Sequence, residues 1–257
     1  GVALASVDVT DTQSAVIPNT PPTTMVATDL IGEALLKACN KLNDRLAKYD
    51  GSFVRRVEQA YDEGISLSAT ASHTAPRLSY DYEKQQGDVS YFFVWGAAVS
   101  IVEIDVISGS FRILKNHIVQ DCGKSLNPQL DVGQAEGGFM FGVGYYMMEE
   151  MIYSSDGKLI TDNVSGYKIP SCGDVPLEWN IELLNYRPEG KGLHNSKGIG
   201  ESSIQLGLSV YFAAKDAVRA ARREAGSALE FNLGFPASVD RVSEALPAIA
   251  NYASSQK

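Results

Sequence analysis

Apolar residues recur at intervals of three and four along Ile31, Leu35, Ala38, Leu42 and Leu46, with Lys37, Lys41 and Arg45 off that stripe. This spacing predicts an amphipathic helix, with Thr28 or Asp29 able to cap its start and Asp50-Gly51 to stop it. From Asp88 the period changes to two. Tyr91 to Val106 is rich in aromatic and β-branched residues, and Val102, Ile104 and Val106 alternate with Glu103 and Asp105, which predicts a strand with one wet face. Ser108-Gly109-Ser110 is turn chemistry, and Phe111 to Val119 supplies a return strand. A second hairpin is expected around Ser154-Ser155-Asp156-Gly157. Between the two, Asp131 to Ile152 reads as a helix apolar nearly all round, studded with Gly133, Gly137, Gly138, Gly142 and Gly144. Each glycine inside a helix costs roughly 1 kcal/mol, so their number predicts close backbone packing or an approach to a ligand. A last long helix is expected from Ser203 to Ala225, with its stripe on Leu208, Tyr211, Ala214, Val218 and Ala221 and with Arg222 and Arg223 suited to its C-terminal dipole. Strands and helices are segregated without regular βαβ alternation, which predicts an α+β fold of mixed strands and long helices.

Composition narrows the function classes. The 257 residues, 44% of them apolar, are enough for a sizeable core. The charges, 22 basic against 31 acidic, give a net of −9. That balance disfavours nucleic acid and anionic membrane surfaces, which attract basic footprints. No apolar run approaches the ~20 residues of a membrane span. The cysteines Cys39, Cys122 and Cys172 are sparse and form no CxxC pair. A zinc ribbon or an iron–sulfur cluster ligated within the chain is thereby excluded, and a reducing, cytoplasmic compartment is expected. The Asn163-Val164-Ser165 sequon is then incidental. No signal peptide is visible. The chain opens on Gly1 and runs at once into strand-like sequence, which suggests a piece of a longer polypeptide.

Three stretches could carry chemistry. Lys197-Gly198-Ile199-Gly200-Glu201 precedes the last helix. Its glycines permit close backbone approach, and Glu201 at a helix start could act as a base, its carboxylate held ionised by the dipole and pushed toward neutrality by burial. The plain alternative is an acidic residue that stabilises a first turn. The second stretch joins Asp121-Cys122-Gly123, Asn127-Pro128 and Asp131-Val132-Gly133-Gln134-Ala135-Glu136-Gly137-Gly138. Here Gln134 could offer its amide to a polar cofactor, or the stretch is simply a helix-start loop. The third is the Pro-rich connector from Pro18 to Asp29, whose amides and threonine hydroxyls could wrap a phosphate or a pterin, or which is an ordinary connector. Gly198-Ile199-Gly200-Glu201-Ser202-Ser203 begins like a dinucleotide fingerprint but lacks the third glycine and a preceding strand. His73, His117 and His194 have no metal-ligand spacing and read as satisfied surface or strand histidines.

Taken together, these runs resemble the molybdenum hydroxylases, the family of xanthine dehydrogenase and aldehyde oxidase. The matching segments are Pro18-Asn19-Thr20 to Thr28-Asp29, Val102-Glu103-Ile104-Asp105, Val119 through Gly137, Tyr167-Lys168-Ile169-Pro170, Lys197 to Glu201, and Tyr211 to Arg222. They occur in the family's order over nearly the whole chain. The resemblance implies that residues 1–257 are the C-terminal portion of a molybdopterin-binding domain, with the 2Fe-2S and FAD domains and the first half of the molybdenum domain lying elsewhere in the parent protein.

By the same resemblance, Glu201 matches the family's catalytic base, which takes a proton as oxygen derived from water is placed on an electron-poor carbon. Electrons then leave through iron–sulfur clusters to flavin and on to NAD or oxygen. Gln134 matches a cofactor-contacting glutamine, Thr23, Thr24, Met25, Val26 and Ala27 match the loop that wraps the pterin, and Gly200 lies against the cofactor. No side chain is expected to ligate the metal. The implied substrate is a small molecule, either a purine such as xanthine or hypoxanthine, or an aldehyde or N-heterocycle. Pro76, Leu78 and Tyr80 point toward the xanthine type, and a homodimer is implied for the parent. Three departures stand out. The pterin loop is one residue short and lacks its serines, Ser202-Ser203 replaces the usual Pro-Pro, and Phe141 stands where glutamine is common. They leave open a divergent, non-catalytic relative or scaffold that does not retain the cofactor.

Overall fold

The computed structural model describes residues 2–10, 27–184 and 192–248. The chain divides into two compact units, Gly1–Tyr91 and Phe92–Lys257.

In the first unit, helix α1 spans Ala27–Leu46. Thr28 and Asp29 both lie inside its first turn, where Asp29 favours the positive helix end. The helix stops at Leu46, ahead of Asp50-Gly51, and Gly51 turns the chain at φ +104°. Only the C-terminal end of the apolar stripe is well covered: Leu46 is buried, whereas Ile31 and Leu35 are exposed. The cations beside the stripe have a definite task. Lys37 hydrogen-bonds His73 Nδ1, Lys41 donates to the Thr70 carbonyl, and Arg45 donates to the Ser66 and Ser68 carbonyls. Spaced four apart on one helix face, they lay the extended 66–73 segment along α1. Helix α2, Phe53–Asp62, is capped by Ser52 accepting the Arg55 N–H. A minimal hairpin pairs β1, Tyr80–Asp81, with β2, Gln86–Gly87.

The second unit is built on a three-stranded sheet. Strand β3 spans Gly96–Ile104 and β4 spans Phe111–Gln120, and the two pair antiparallel through a turn in which Gly109 has φ +74°. Strand β3 is shorter than the Tyr91–Val106 expected, because the Asp105 carboxylate accepts the Ile107 and Ser108 N–H groups and turns the chain. Helix α3, Pro128–Met147, crosses to β5, Glu178–Leu183, which pairs parallel to β4. The α+β segregation therefore contains one β–α–β crossover. The hairpin expected near Ser154 is reduced to a single bridge, Tyr153 to Leu159, around a turn at Gly157.

Helices α3 and α4, the latter Leu208–Glu224, pack on one face of this sheet, and α5, Val239–Ala245, joins the same core. Phe139, Val143, Val210 and Val218 are fully buried against Ile113 and Ile118. Burying side chains of this size contributes about 1.5–3 kcal/mol each. Phe139 meets Trp179 of β5 edge to face at 5.4 Å, which ties the crossover helix to the third strand. Arg222 donates to the Ala228 and Ala245 carbonyls and fastens the end of α4 to the chain that follows.

Candidate active site

Helix α3 starts three residues before Asp131 because Asn127 caps it, its side chain accepting the Gln129 and Leu130 N–H groups, and because Pro128 occupies the first turn at no hydrogen-bonding cost. It ends at Met147 rather than Ile152. Its glycines fall into two sets. A Cβ on Gly138 would lie 2.6 Å from the Gly200 carbonyl oxygen, and one on Gly142 would run into the Ile204 carbonyl. These two admit the backbone of residues 200–207 directly onto the helix. Gly133 and Gly137 have nothing within 4 Å of that position. They leave bare backbone on the exposed face that also carries Gln134.

The segment that α3 receives is a 3₁₀ helix, Ser202–Gly207, followed by α4 from Leu208. Glu201 therefore precedes a six-residue 3₁₀ turn and not the start of the long helix, and its side chain makes no cap hydrogen bond. The tighter winding follows from the close fit: a Cβ on Gly207 would lie 2.6 Å from the Gly142 carbonyl carbon. Ser203 is fully buried and donates to the Ile199 carbonyl at 3.0 Å, with Gln120 Oε1 a second, longer acceptor at 3.4 Å for the same proton, while Ser202 donates to the same Ile199 carbonyl at 3.1 Å. Two hydroxyls thus hold the turn after Glu201, where prolines would hold it by ring geometry.

The Asp121 and Lys197 motifs meet along a short bridge. Gly123 pairs with Ser196, the Lys197 N–H donates to the Cys122 carbonyl, and the Lys124 N–H donates to the Asn195 carbonyl. Gly123 has φ +64°, and a Cβ there would strike the Asn195 carbonyl oxygen, so glycine is required twice over. Lys197 donates to Asp121 Oδ2 at 2.5 Å, with both side chains nearly solvent-free. Asp121 Oδ1 accepts the Gly123 N–H. Beside them Cys122 is buried, and desolvation first, then the charges of Asp131 and Asp121, push its thiol above the usual range.

This frame brings two of the sequence-predicted sites together. Gln134 Oε1 lies 2.5 Å from where a Gly200 Cβ would stand, so the amide occupies the space that glycine vacates. Glu201 follows immediately, exposed, and its carboxylate makes no hydrogen bond or ion pair among the described residues. Ala27 is the first residue of α1 in the other unit. Thr23, Thr24, Met25 and Val26 lie outside the described residues, as does most of the Pro18 connector. Sequence reasoning passed over Asp121 and Lys197 as a pair, since nothing in a 76-residue separation marks them as partners. Phe141, at the position noted as a departure, is exposed on α3. Among the described residues no group of three or more His, Cys, Asp or Glu side chains is placed to hold a metal, and no helix is long and apolar enough to cross a membrane.

The arrangement offers an uncommitted amide beside bare helical backbone, with an exposed carboxylate one residue after the glycine that the amide meets. Residues 1–176 match the family model for a molybdopterin cofactor-binding domain. The chain is 38% identical over 253 residues to a xanthine dehydrogenase/oxidase of Mus musculus, covering 95% of this chain and 19% of that protein. It is 42% identical over 240 residues to aldehyde oxidase 2 of Cavia porcellus, covering 90% and 18% respectively. Among solved structures, an aldehyde oxidoreductase from Desulfovibrio gigas superimposes with a TM-score of 0.70 at 20% identity over 91% of this chain and 24% of that one, a likeness of fold. The chain spans about a fifth of the length of the curated relatives it matches.

Proposed function

The chain belongs to the molybdopterin cofactor-binding domain family, and from that membership we propose that it is the C-terminal portion of such a domain in a molybdenum hydroxylase. The substrate proposed is a small molecule, a purine of the xanthine type or an aldehyde or N-heterocycle, hydroxylated with oxygen from water. The remaining length of such an enzyme would carry the 2Fe-2S and FAD centres that pass electrons to NAD or oxygen, in a cytoplasmic homodimer.

One observation carries this reading: Gln134 and Gly200, from segments more than sixty residues apart, converge next to Glu201 in sequence and near bare glycine backbone. The donor set fits a pterin cofactor. Gln134 has an amide that makes no hydrogen bond among the described residues, and Gly133 and Gly137 leave room for a flat polar group to approach the helix. Gly200, lacking a Cβ, leaves the space that the Gln134 amide occupies. By family resemblance, Thr23, Thr24, Met25, Val26 and Ala27 are also proposed to contact the pterin and its phosphate. When bound, the cofactor supplies the two-electron redox chemistry that no side chain here can provide.

The protein's own task is then positional and protolytic. Gln134 orients the cofactor through its amide. Glu201 takes a proton at its carboxylate as oxygen is transferred to the substrate. The Asp121–Lys197 pair and the Ser202 and Ser203 hydroxyls fix the loop on which Glu201 stands. Those hydroxyls also answer the loss of the Pro-Pro pair, which favours a working enzyme over a scaffold that has lost its cofactor. The test is the molybdenum-to-protein ratio of the natively purified full-length protein. A ratio near one supports the reading, and a ratio near zero in a host that makes the cofactor overturns it.

A further inference from the structure

A separate cleft of about 700 Å³ opens where the end of α3 meets the 3₁₀ helix and the chain after α4. Its volume is that of an ordinary small-molecule pocket. It is lined by Tyr145, Tyr146 and Glu149, by Gln205, and by Phe235 and Pro236, and it includes none of Gln134, Gly200 and Glu201. Three aromatic rings frame it. Tyr145 and Tyr146 meet edge to face at 5.1 Å, and Tyr146 meets Phe235 edge to face at 5.6 Å. Tyr211 stacks on Phe235 at 4.4 Å and fixes that ring from the core, yet half of Phe235 stays exposed, and Tyr145 more so.

The one charged group in the lining of the cleft is the Glu149 carboxylate. Glu149 accepts the Tyr167 hydroxyl at 2.5 Å, and this bond to a carboxylate raises the Tyr167 pKa, so the phenol keeps its proton. Gln205 Oε1 accepts the Tyr146 hydroxyl at 2.9 Å. The adjacent acid, Glu150, is already claimed by Arg241, which also donates to the Pro236 carbonyl. Glu149 has no cationic partner among the described residues, and no lining residue is cationic. π faces and one uncompensated carboxylate select positive charge.

We propose that this cleft binds a small organic cation, an ammonium or guanidinium on an apolar body, with its charge at Glu149 and its body against Tyr145 and Phe235. The proposal is independent of the molybdopterin reading, and its failure would leave the molybdenum ratio unaffected. The test is calorimetric titration of the full-length protein with benzyltrimethylammonium, set against neutral benzyl alcohol. The cation should bind saturably and roughly tenfold more tightly than the alcohol. Glu149→Gln, which keeps the bond to Tyr167, should weaken the cation about fivefold or more and leave the alcohol unchanged. Should that variant fail to fold, Tyr145→Ser, at an exposed ring, should likewise weaken the cation. Absence of saturation, equal affinity for the neutral probe, or unchanged affinity in the folded variants would each overturn the proposal.

Discussion

Lys197 Nζ lies 2.5 Å from Asp121 Oδ2, and the two side chains are 8% and 2% exposed. A buried pair of this kind is a weak source of net stability, because desolvation offsets much of its attraction, but breaking it strands a charge. Asp121→Asn should therefore destabilise the second unit by about 3–5 kcal/mol. Removing the exposed Lys84–Asp81 pair should change stability by less than about 1 kcal/mol. Urea denaturation of both variants checks the contrast, and an Asp121→Asn loss no larger than the surface one would show that the pair is not the clasp between the two loops.

The glycines of α3 give opposite expectations along one helix. Gly142→Ala places a methyl against the Ile204 backbone and Gly207, which cannot swing aside as a side chain can. It should cost at least about 1–3 kcal/mol by overpacking. Gly137→Ala meets open space and should stabilise the helix by about 1 kcal/mol through propensity alone. Thermal melts of the two variants should move in opposite directions. In the full-length protein Gly137→Ala should also lower molybdenum content if the proposed pterin contact is made there, since the methyl would occupy that surface.

Those two glycine sets show what a sequence can and cannot disclose. Their number along one apolar helix already announced close backbone approach, and Gly138 and Gly142 provide it. Which glycines face the protein and which face outward depends on the 3₁₀ segment folding back from sixty residues away, and no local pattern encodes that. The amphipathic α1 and α4 were legible in their three–four spacing, whereas Glu201's helix was mistaken for an α-helix because tight packing on Gly142, not propensity, winds it as 3₁₀. Strand β5 is a different case. Trp179, Ile181 and Leu183 alternate with Glu178, Asn180 and Glu182, a period-two signal present in the sequence and passed over. The Gln134–Gly200 approach could be anticipated only through resemblance, since spacing alone gives each motif a bland reading.

Burial should silence the Cys122 thiol. Its pKa is raised chiefly by desolvation, while Cys39 and Cys172 are exposed. At pH 8, iodoacetamide should modify Cys39 and Cys172 first and reach Cys122 only at the rate of unfolding. The linkage has a definite sign. A pKa higher in the folded than in the unfolded chain means that the folded state holds its proton longer, so this contribution to stability is full below about pH 8.5 and is lost as pH rises through the folded value. Burial raises the Tyr146 and Tyr211 pKa values in the same direction, and these groups should extend the alkaline loss. Denaturation midpoints that rise with pH above 8.5 would contradict this assignment.

Glu201 stands exposed, its carboxylate without a hydrogen-bonded partner among the described residues, on a loop held by buried groups. That combination separates its chemistry from its structural cost. Glu201→Gln removes the proposed base but nearly preserves volume, and it severs no side-chain bond that supports the fold. In the full-length protein it should leave the molybdenum ratio and the melting temperature unchanged while lowering the kcat of the proposed reaction by at least about two orders of magnitude, the usual scale for removing a general base. Gln134→Ala should fail differently, with molybdenum content falling before any intrinsic rate does, because the amide is proposed to hold the cofactor and not the proton. Near-normal turnover per molybdenum in Glu201→Gln would remove this residue from the chemistry and move the search for the base to residues outside this chain.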